Sequence, residues 1–379
     1  MPARTLLGPA DVDDTALAAM VSDQLGVAEV DVLDCRVEVV DYDLEALTTA
    51  GRYWVRGTAR HRDGSSPYAF FVKVVQCWSR TPQFQMVPPE LRELAAAGLP
   101  WRSEPLVYAS DLGQRLPAGL SVPRVHLVRE LDETSACLWL QVVDADRTPW
   151  QPGTFERAAY LLGRLAASSD VEPLNRLGPT DVVRGYAHGR VQGQLLPALR
   201  SDALWEHPLV AAAFDRQLRD RLLAAVDALP ALLVELDGAP LGTAHGDACA
   251  RNLLVPRDRS ADFVLIDFAF WCRAPLGFDL SQLLLGEVQL GERPAAELPE
   301  LHERCLAAYV AGLRDEGCDV PFEQVRRVQA LLMLLFAGLS AVPLEVLYGL
   351  PAPGAADVVR ERAAAATFVL DLVDATSGA

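Results

Sequence analysis

Lysine is nearly absent: one stands in 379 residues, at Lys73, against thirty-three arginines. A net positive charge is missing as well. The formal charge is −17 and the pI is near 4.8. That disfavours a nucleic-acid partner, which would demand a basic surface, and suits a cationic ligand drawn in by the protein's field. The seven cysteines form no Cys-x-x-Cys pair, and their odd number argues for reduced thiols and no zinc site. The longest apolar run, Ala330 to Leu339, is interrupted by Gly338 and closed by Pro343. It is too short to span a bilayer and reads as a buried helix, so no membrane partner is expected. The opening Met1-Pro2-Ala3-Arg4, with Asp11, Asp13 and Asp14 close behind, lacks the apolar core of a signal peptide, and the expected location is cytoplasmic. No internal repeat or low-complexity linker is visible.

What is present describes a folded chain. Hydrophobic residues make up 51% and charged residues 22%, with a mean hydropathy of +0.14, values that exclude a disordered polymer. Its length is more than one hydrophobic core usually organises and fits two lobes. The single lysine sits in Tyr68-Ala69-Phe70-Phe71-Val72-Lys73-Val74-Val75, an aromatic and β-branched run that reads as a buried strand. A compact ammonium reaching a phosphate between layers of structure is not replaceable by a planar guanidinium. The alternative is an edge-strand lysine that guards against aggregation.

The densest chemistry lies in His245-Gly246-Asp247-Ala248-Cys249-Ala250-Arg251-Asn252, followed by Phe263-Val264-Leu265-Ile266-Asp267-Phe268. Asn252 to Val255 and Phe263 to Ile266 are short apolar runs around a polar, turn-forming segment, so together they predict a β-hairpin. The hairpin returns Asp267 to the neighbourhood of Asn252. Two carboxylates and an amide then share one place, as kinase chemistry requires. An Asp accepts the proton of an attacking hydroxyl, an Asn five residues on holds one magnesium ion, and a further Asp holds the other. Mg²⁺ takes hard oxygen ligands and usually only one or two protein carboxylates, phosphates and water completing its octahedron. Asp247, Asn252 and Asp267 fit those roles. Cys249 reads as a small packing residue, since no base is placed beside it.

His-Gly-Asp in place of the His-Arg-Asp of protein kinases, with Asp279 in Gly277-Phe278-Asp279-Leu280, resembles the aminoglycoside phosphotransferase and choline kinase branch of the protein-kinase-like superfamily. The resemblance implies an α+β, bilobal kinase-like fold: a small β-rich nucleotide-binding lobe over residues 1–140 and a larger helical, catalytic and acceptor-binding lobe over 141–379. It implies ATP and Mg²⁺ as cofactors, Asp247 as catalytic base, Asn252 and Asp267 as metal ligands, and His245 and Asp279 as supports of the catalytic loop. Lys73 corresponds to the strand lysine that contacts the α- and β-phosphates. Ala269 stands where protein kinases have Gly after Asp-Phe, which makes a flip of that segment less expected.

A buried lysine needs a partner. Glu104 is the best candidate, because Trp101, Glu104 and Tyr108 share one helical face, although Pro105 is tolerable only in a first turn; Glu90 and Glu93 are the alternatives. The pattern G-x-G-x-x-G is absent. Between apparent strands at Cys35–Val40 and Tyr53–Ala59 the chain offers only Thr48, Thr49 and Gly51 as a phosphate roof, or as an ordinary hairpin turn. Gln141 and Val143, at the end of the run from Ala136 to Val143, are the hinge positions that the resemblance assigns to adenine.

Helical patterns are expected at 11–25, from Thr154, over 209–234 with a break at Pro230, and through most of 303–373. The segment 173–199 has weaker periodicity and is read as an insertion shaping the acceptor pocket. The expected activity is transfer of the γ-phosphoryl group of ATP to a hydroxyl of a small molecule, an aminoglycoside or another cationic metabolite. Two alternatives stand beside it: phosphorylation of Ser or Thr in a peptide during natural-product maturation, and a nucleotide-binding scaffold without catalysis.

Overall fold

The architecture follows from two sheets and the helices that cover them. The computed structural model describes residues 2–41, 47–347 and 354–377. Its first sheet is antiparallel and five-stranded, with β1 (Asp31–Val39), β2 (Thr49–His61), β3 (Gly64–Gln76), β5 (Val125–Asp132) and β6 (Ser135–Gln141) in the order β1-β2-β3-β6-β5. Successive side chains of a strand point to opposite faces, and here both faces are covered. Val55, Phe70, Val72, Cys137 and Trp139 pack outward against Leu17 and Val21 of the helix Asp14–Leu25. Val75, Ala136, Leu138 and Leu140 face inward and join the main core. The outer layer is pinned where the Trp139 indole N–H donates to the Ala10 carbonyl at 3.1 Å.

This sheet settles the position of Lys73. β3 is the central strand, and Lys73 lies between Arg52 of β2 and Leu138 of β6. An edge-strand role is therefore excluded. Only 4% of the residue is exposed.

The second sheet holds β4 (Leu120–Ser121), β7 (Ala145–Asp146), β9 (Leu253–Pro256) and β10 (Phe263–Leu265) in the order β4-β10-β9-β7. The expected hairpin is present, with Val264 opposite Leu254 and the Ile266 amide donating to the Asn252 carbonyl at 3.0 Å. β4 precedes residue 140 yet pairs in parallel with β10, so the segment after the Glu104 helix already belongs to the second sheet. A further pair, β8 (Leu241–Ala244) with β11 (Cys272–Pro275), brings His245 beside the segment that follows Asp267.

Helices enclose these strands from below, among them Pro152–Ala167, Phe278–Gln289, Leu298–Asp315, Phe322–Met333 and Ala355–Thr376. The break expected at Pro230 is present, since one helix ends at Asp227 and Pro230 occupies the first turn of the next, Leu229–Asp237, where its missing N–H costs nothing. An additional break precedes Asp215, which caps Arg216–Asp227 by accepting from the Leu218 amide. The 173–199 segment is helical despite its weak periodicity, including a π-helical stretch, Ala187–Leu195. Tyr186 stacks on Phe336 with ring centroids 4.2 Å apart. Among the described residues no helix is long and apolar enough to cross a membrane. The fold is bilobal, α+β and kinase-like.

Candidate active site

The site is assembled on the inner face of the first sheet and the tips of the second. Lys73 Nζ lies 2.7 Å from Glu104 Oε2 and 3.0 Å from Asp267 Oδ1. Glu104 sits in the short helix Ser103–Tyr108, where Pro105 falls in the first turn and its lack of an N–H removes no helical bond. Glu90 and Glu93 are exposed; Glu104 is the partner. Tyr108, one turn on, packs edge-on against Phe268 at 5.1 Å, tying this helix to the turn that carries Asp267.

One ammonium between two carboxylates shapes the charge of all three. Burial pushes Glu104 up, Lys73 only partly reverses this and Asp267 adds to it, so its carboxyl stands at about 7. Burial would also raise Asp267, but the charge and hydrogen bond of Lys73 outweigh it and hold that carboxyl below its ordinary range. Lys73, which burial alone would lower, is raised by Glu104 and Asp267.

The residues of the loop from His245 to Asn252 form a second group. Asn252 Nδ2 donates to both the carbonyl and Oδ2 of Asp247 at 2.9 Å. Its nitrogen committed, the amide turns its oxygen away from Asp247. Gln282 Nε2 donates to the other oxygen, Asp247 Oδ1, at 2.9 Å. The backbone of the loop hangs on Asp279, whose Oδ2 and Oδ1 accept from the amides of His245 and Gly246 at 2.8 and 2.9 Å. Burial raises the Asp279 carboxyl despite these donors. The fully buried His245 ring contacts the Ile266 carbonyl through Nε2 at 3.0 Å, joining the loop to the residue before Asp267.

Gly246 explains the His-Gly-Asp spelling. Its φ is +89°, and a Cβ there would lie 1.9 Å from the Phe270 carbonyl oxygen. Any side chain would meet both a strained backbone and a rigid neighbour. Asp267 itself takes a left-handed conformation, φ 63°. Cys249 packs toward Gly286, and burial followed by the charge of Asp247 pushes its thiol up to about 12. It is no nucleophile at neutral pH.

Two expectations are met less simply. Thr49 and Gly51 lie in β2 opposite Val75 and Val74 across a bulge, and the Thr48 carbonyl accepts from the Gln76 amide. Thr49 and Gly51 belong to the strand, as a β-branched threonine favours, and Thr48 stands in the turn just before it; the preceding residues 42–46 fall outside the described chain. Gln141 donates its amide to the Arg124 carbonyl at 2.8 Å and accepts from the Arg124 amide through its side chain at 3.1 Å. The Gln141 amide is thus engaged in the sheet, and Val143 lies half-buried two residues beyond it.

Several residues escaped the sequence reading. Gln282 gave no signal except its place one helical turn after Asp279. Trp54 and Phe71 oppose each other across β2 and β3, with centroids 5.1 Å apart, on the face that carries Lys73; only the alternation of β3 could have marked them.

The donor set suits magnesium. Among the described residues no cluster of three or more His, Cys, Asp or Glu could hold a metal ion, whereas Asp267, beside Lys73, and Asn252 carry hard oxygen donors, the sparse protein contribution that Mg²⁺ accepts.

The model of the phosphotransferase enzyme family, APH, matches residues 87–316. Among solved structures, an aminoglycoside phosphotransferase from Alicyclobacillus acidocaldarius subsp. acidocaldarius DSM 446 is 15% identical, with 98% of each chain covered and a TM-score of 0.52. It shares the fold. Amicoumacin kinase hAmiN, solved with AMP-PNP, Ca²⁺ and Ami, is 13% identical over 96% of this chain and 94% of its own, with a TM-score of 0.48. Ethanolamine kinase from Plasmodium vivax is 12% identical over 88% and 82%, also at 0.48. No curated protein sequence matches the chain. With the family model covering more than half of its length, the chain belongs to the phosphotransferase enzyme family.

Proposed function

We propose that this protein transfers the γ-phosphoryl group of ATP, with Mg²⁺, to a hydroxyl of a small molecule, and that the acceptor is an aminoglycoside or another cationic metabolite. The observation that carries the reading is the placement of Lys73 between Glu104 and Asp267, joined through His245 and Ile266 to the loop that orients Asp247. The charge of −17 supports a cationic acceptor.

In this reading Lys73 binds α- and β-phosphate oxygens, and Trp54 and Phe71 form the apolar ceiling above the base. Asp267 and the Asn252 side-chain oxygen would hold Mg²⁺, whose charge would offset that of the phosphates. Asp247, aligned by Asn252 and Gln282, accepts the hydroxyl proton as the acceptor oxygen bonds to the γ-phosphorus and the bond from that phosphorus to the β,γ-bridging oxygen breaks. ADP leaves with the electron pair of that bond.

The test is an ATP-consumption screen over candidate amino-alcohols, other alcohols and Ser/Thr peptides, with and without Mg²⁺. The expected result is Mg²⁺-dependent consumption with one small alcohol. In Asp247→Ala, loss of a positioned base lowers turnover roughly 10²–10⁴-fold while ATP still binds. A wild-type protein that binds no ATP contradicts the proposal, and consumption driven only by peptides overturns the small-molecule acceptor.

A further inference from the structure

The cleft face of β2 carries a cation that the kinase reading leaves without a task. Arg52 lies directly opposite Lys73 in the antiparallel pair of β2 and β3. Directly opposed residues project from the same face with Cβ atoms about 4.5–5.5 Å apart. Lys73 points into the cleft, where it meets Glu104 and Asp267, so Arg52 rises from the cleft face as well. Its charge favours the ionised form of both carboxylates, as expected of a cation on the face that carries Lys73. Arg52 is half-buried and follows directly on the bulge between Thr49 and Gly51.

The balance of charge gives this position a purpose. When ionised, Glu104 and Asp267 together exceed the one positive charge of Lys73, so the trio alone presents a net negative field to an incoming polyphosphate. Arg52 brings the four groups to neutrality. The roof has no G-x-G-x-x-G sequence to supply a nest of backbone N–H donors. A guanidinium supplies several donors in a fixed fork that matches phosphate oxygens.

We propose that Arg52 is a second phosphate ligand of the nucleotide cleft, its guanidinium donating to the terminal phosphates beside Lys73. The inference rests on the ATP reading above, and its test separates the two.

Binding of adenosine, Mg-ADP and Mg-AMP-PNP is measured calorimetrically for the wild type and for Arg52→Met, Arg52→Lys and Arg60→Met, with thermal melting of each variant. Arg60 lies at the far end of the same strand, 3.0 Å from Asp31, and reports the effect of a remote charge. Arg52→Met should weaken Mg-AMP-PNP by about tenfold or more, the loss of a charge-assisted hydrogen bond, with adenosine unchanged. Arg52→Lys should fall between, because a point charge replaces a fork, and Arg60→Met should match the wild type. Mg-AMP-PNP affinity unchanged in Arg52→Met overturns the role of Arg52 while leaving the kinase reading intact. Parallel losses for adenosine and AMP-PNP, or equal losses in Arg60→Met, reduce Arg52 to a structural or long-range effect and overturn it too. Should Arg52→Met fail to melt cooperatively, Arg52→Lys decides on the same criteria. A wild-type protein that binds none of the three overturns the kinase reading and this role with it.

Discussion

Gln282 Nε2 donates to Asp247 Oδ1 at 2.9 Å, while the other oxygen of the same carboxylate is held by Asn252. The proposed base is thus clamped from two elements, the helix after Asp279 and its own loop. A hydrogen bond to a charged group contributes about 1.5–3 kcal/mol. Gln282→Ala should therefore lower kcat roughly tenfold or more, with the KM for ATP unchanged. Gln282→Glu, which sets a second carboxylate against Asp247, should do worse. Steady-state kinetics with the acceptor found in the screen checks this; a variant whose only change is a higher KM for ATP would remove the positioning role.

Gly246 makes a sharper structural prediction. With φ at +89° and the Phe270 carbonyl where a Cβ would go, Gly246→Ala must displace the catalytic loop. Strain of this kind costs on the order of 1–3 kcal/mol for the backbone alone, before the steric clash. Urea unfolding should show a lower midpoint, and turnover should fall by more than tenfold. A variant with wild-type stability and rate would mean that the loop tolerates another backbone path.

The Lys73 cluster predicts a pH dependence. Burial, only partly opposed by Lys73, raises the Glu104 carboxyl to about 7 from its ordinary 4.5. Below about 4.5 this group is protonated in folded and unfolded chains alike. Between 4.5 and 7 the folded chain keeps a proton that the unfolded chain releases, so its contribution to stability declines as pH rises and is gone above about 7. Nucleotide binding should change over the same interval, because protonation of Glu104 leaves Lys73 facing Asp267 alone. Unfolding midpoints and Mg-ADP affinities from pH 5 to 8, compared with Glu104→Gln, test this: the variant should lose the inflection near 7. An inflection that survives would assign it to another group.

How much of this was legible depended on whether a role needed sequence neighbours or spatial ones. Asp247, Asn252 and Asp267 could be placed together because one short hairpin dictates their return. Asp279 followed from the resemblance. Lys73 stood out because no other lysine competes with it, and Glu104 because it shares a helical face with Tyr108. Gln282 could not be seen: its role depends on how the Phe278–Gln289 helix meets the catalytic loop, a relation between distant segments. Arg52 was hidden by abundance among thirty-three arginines, and only the strand register singles it out. Thr48, Thr49 and Gly51 fit both a phosphate roof and an ordinary hairpin turn in sequence, and only the register against β3 puts Thr49 and Gly51 inside β2. That the Gln141 amide is engaged with the Arg124 carbonyl is likewise visible only in the sheet pairing.

The central claim is that Asp267 and Asn252 hold a divalent ion against a nucleotide whose phosphates Lys73 binds. Calorimetric titration of AMP-PNP into the wild type and Asp267→Asn, each with Mg²⁺ and with EDTA, tests it most directly. The expected result is binding by the wild type that weakens in EDTA, and a loss in Asp267→Asn of about tenfold or more, as for removing one charged ligand, seen only when Mg²⁺ is present. In EDTA the variant should bind as well as the wild type or better, because a carboxylate that repels phosphate is gone. No binding by the wild type, or affinities for which neither Mg²⁺ nor Asp267 matters, would contradict the account.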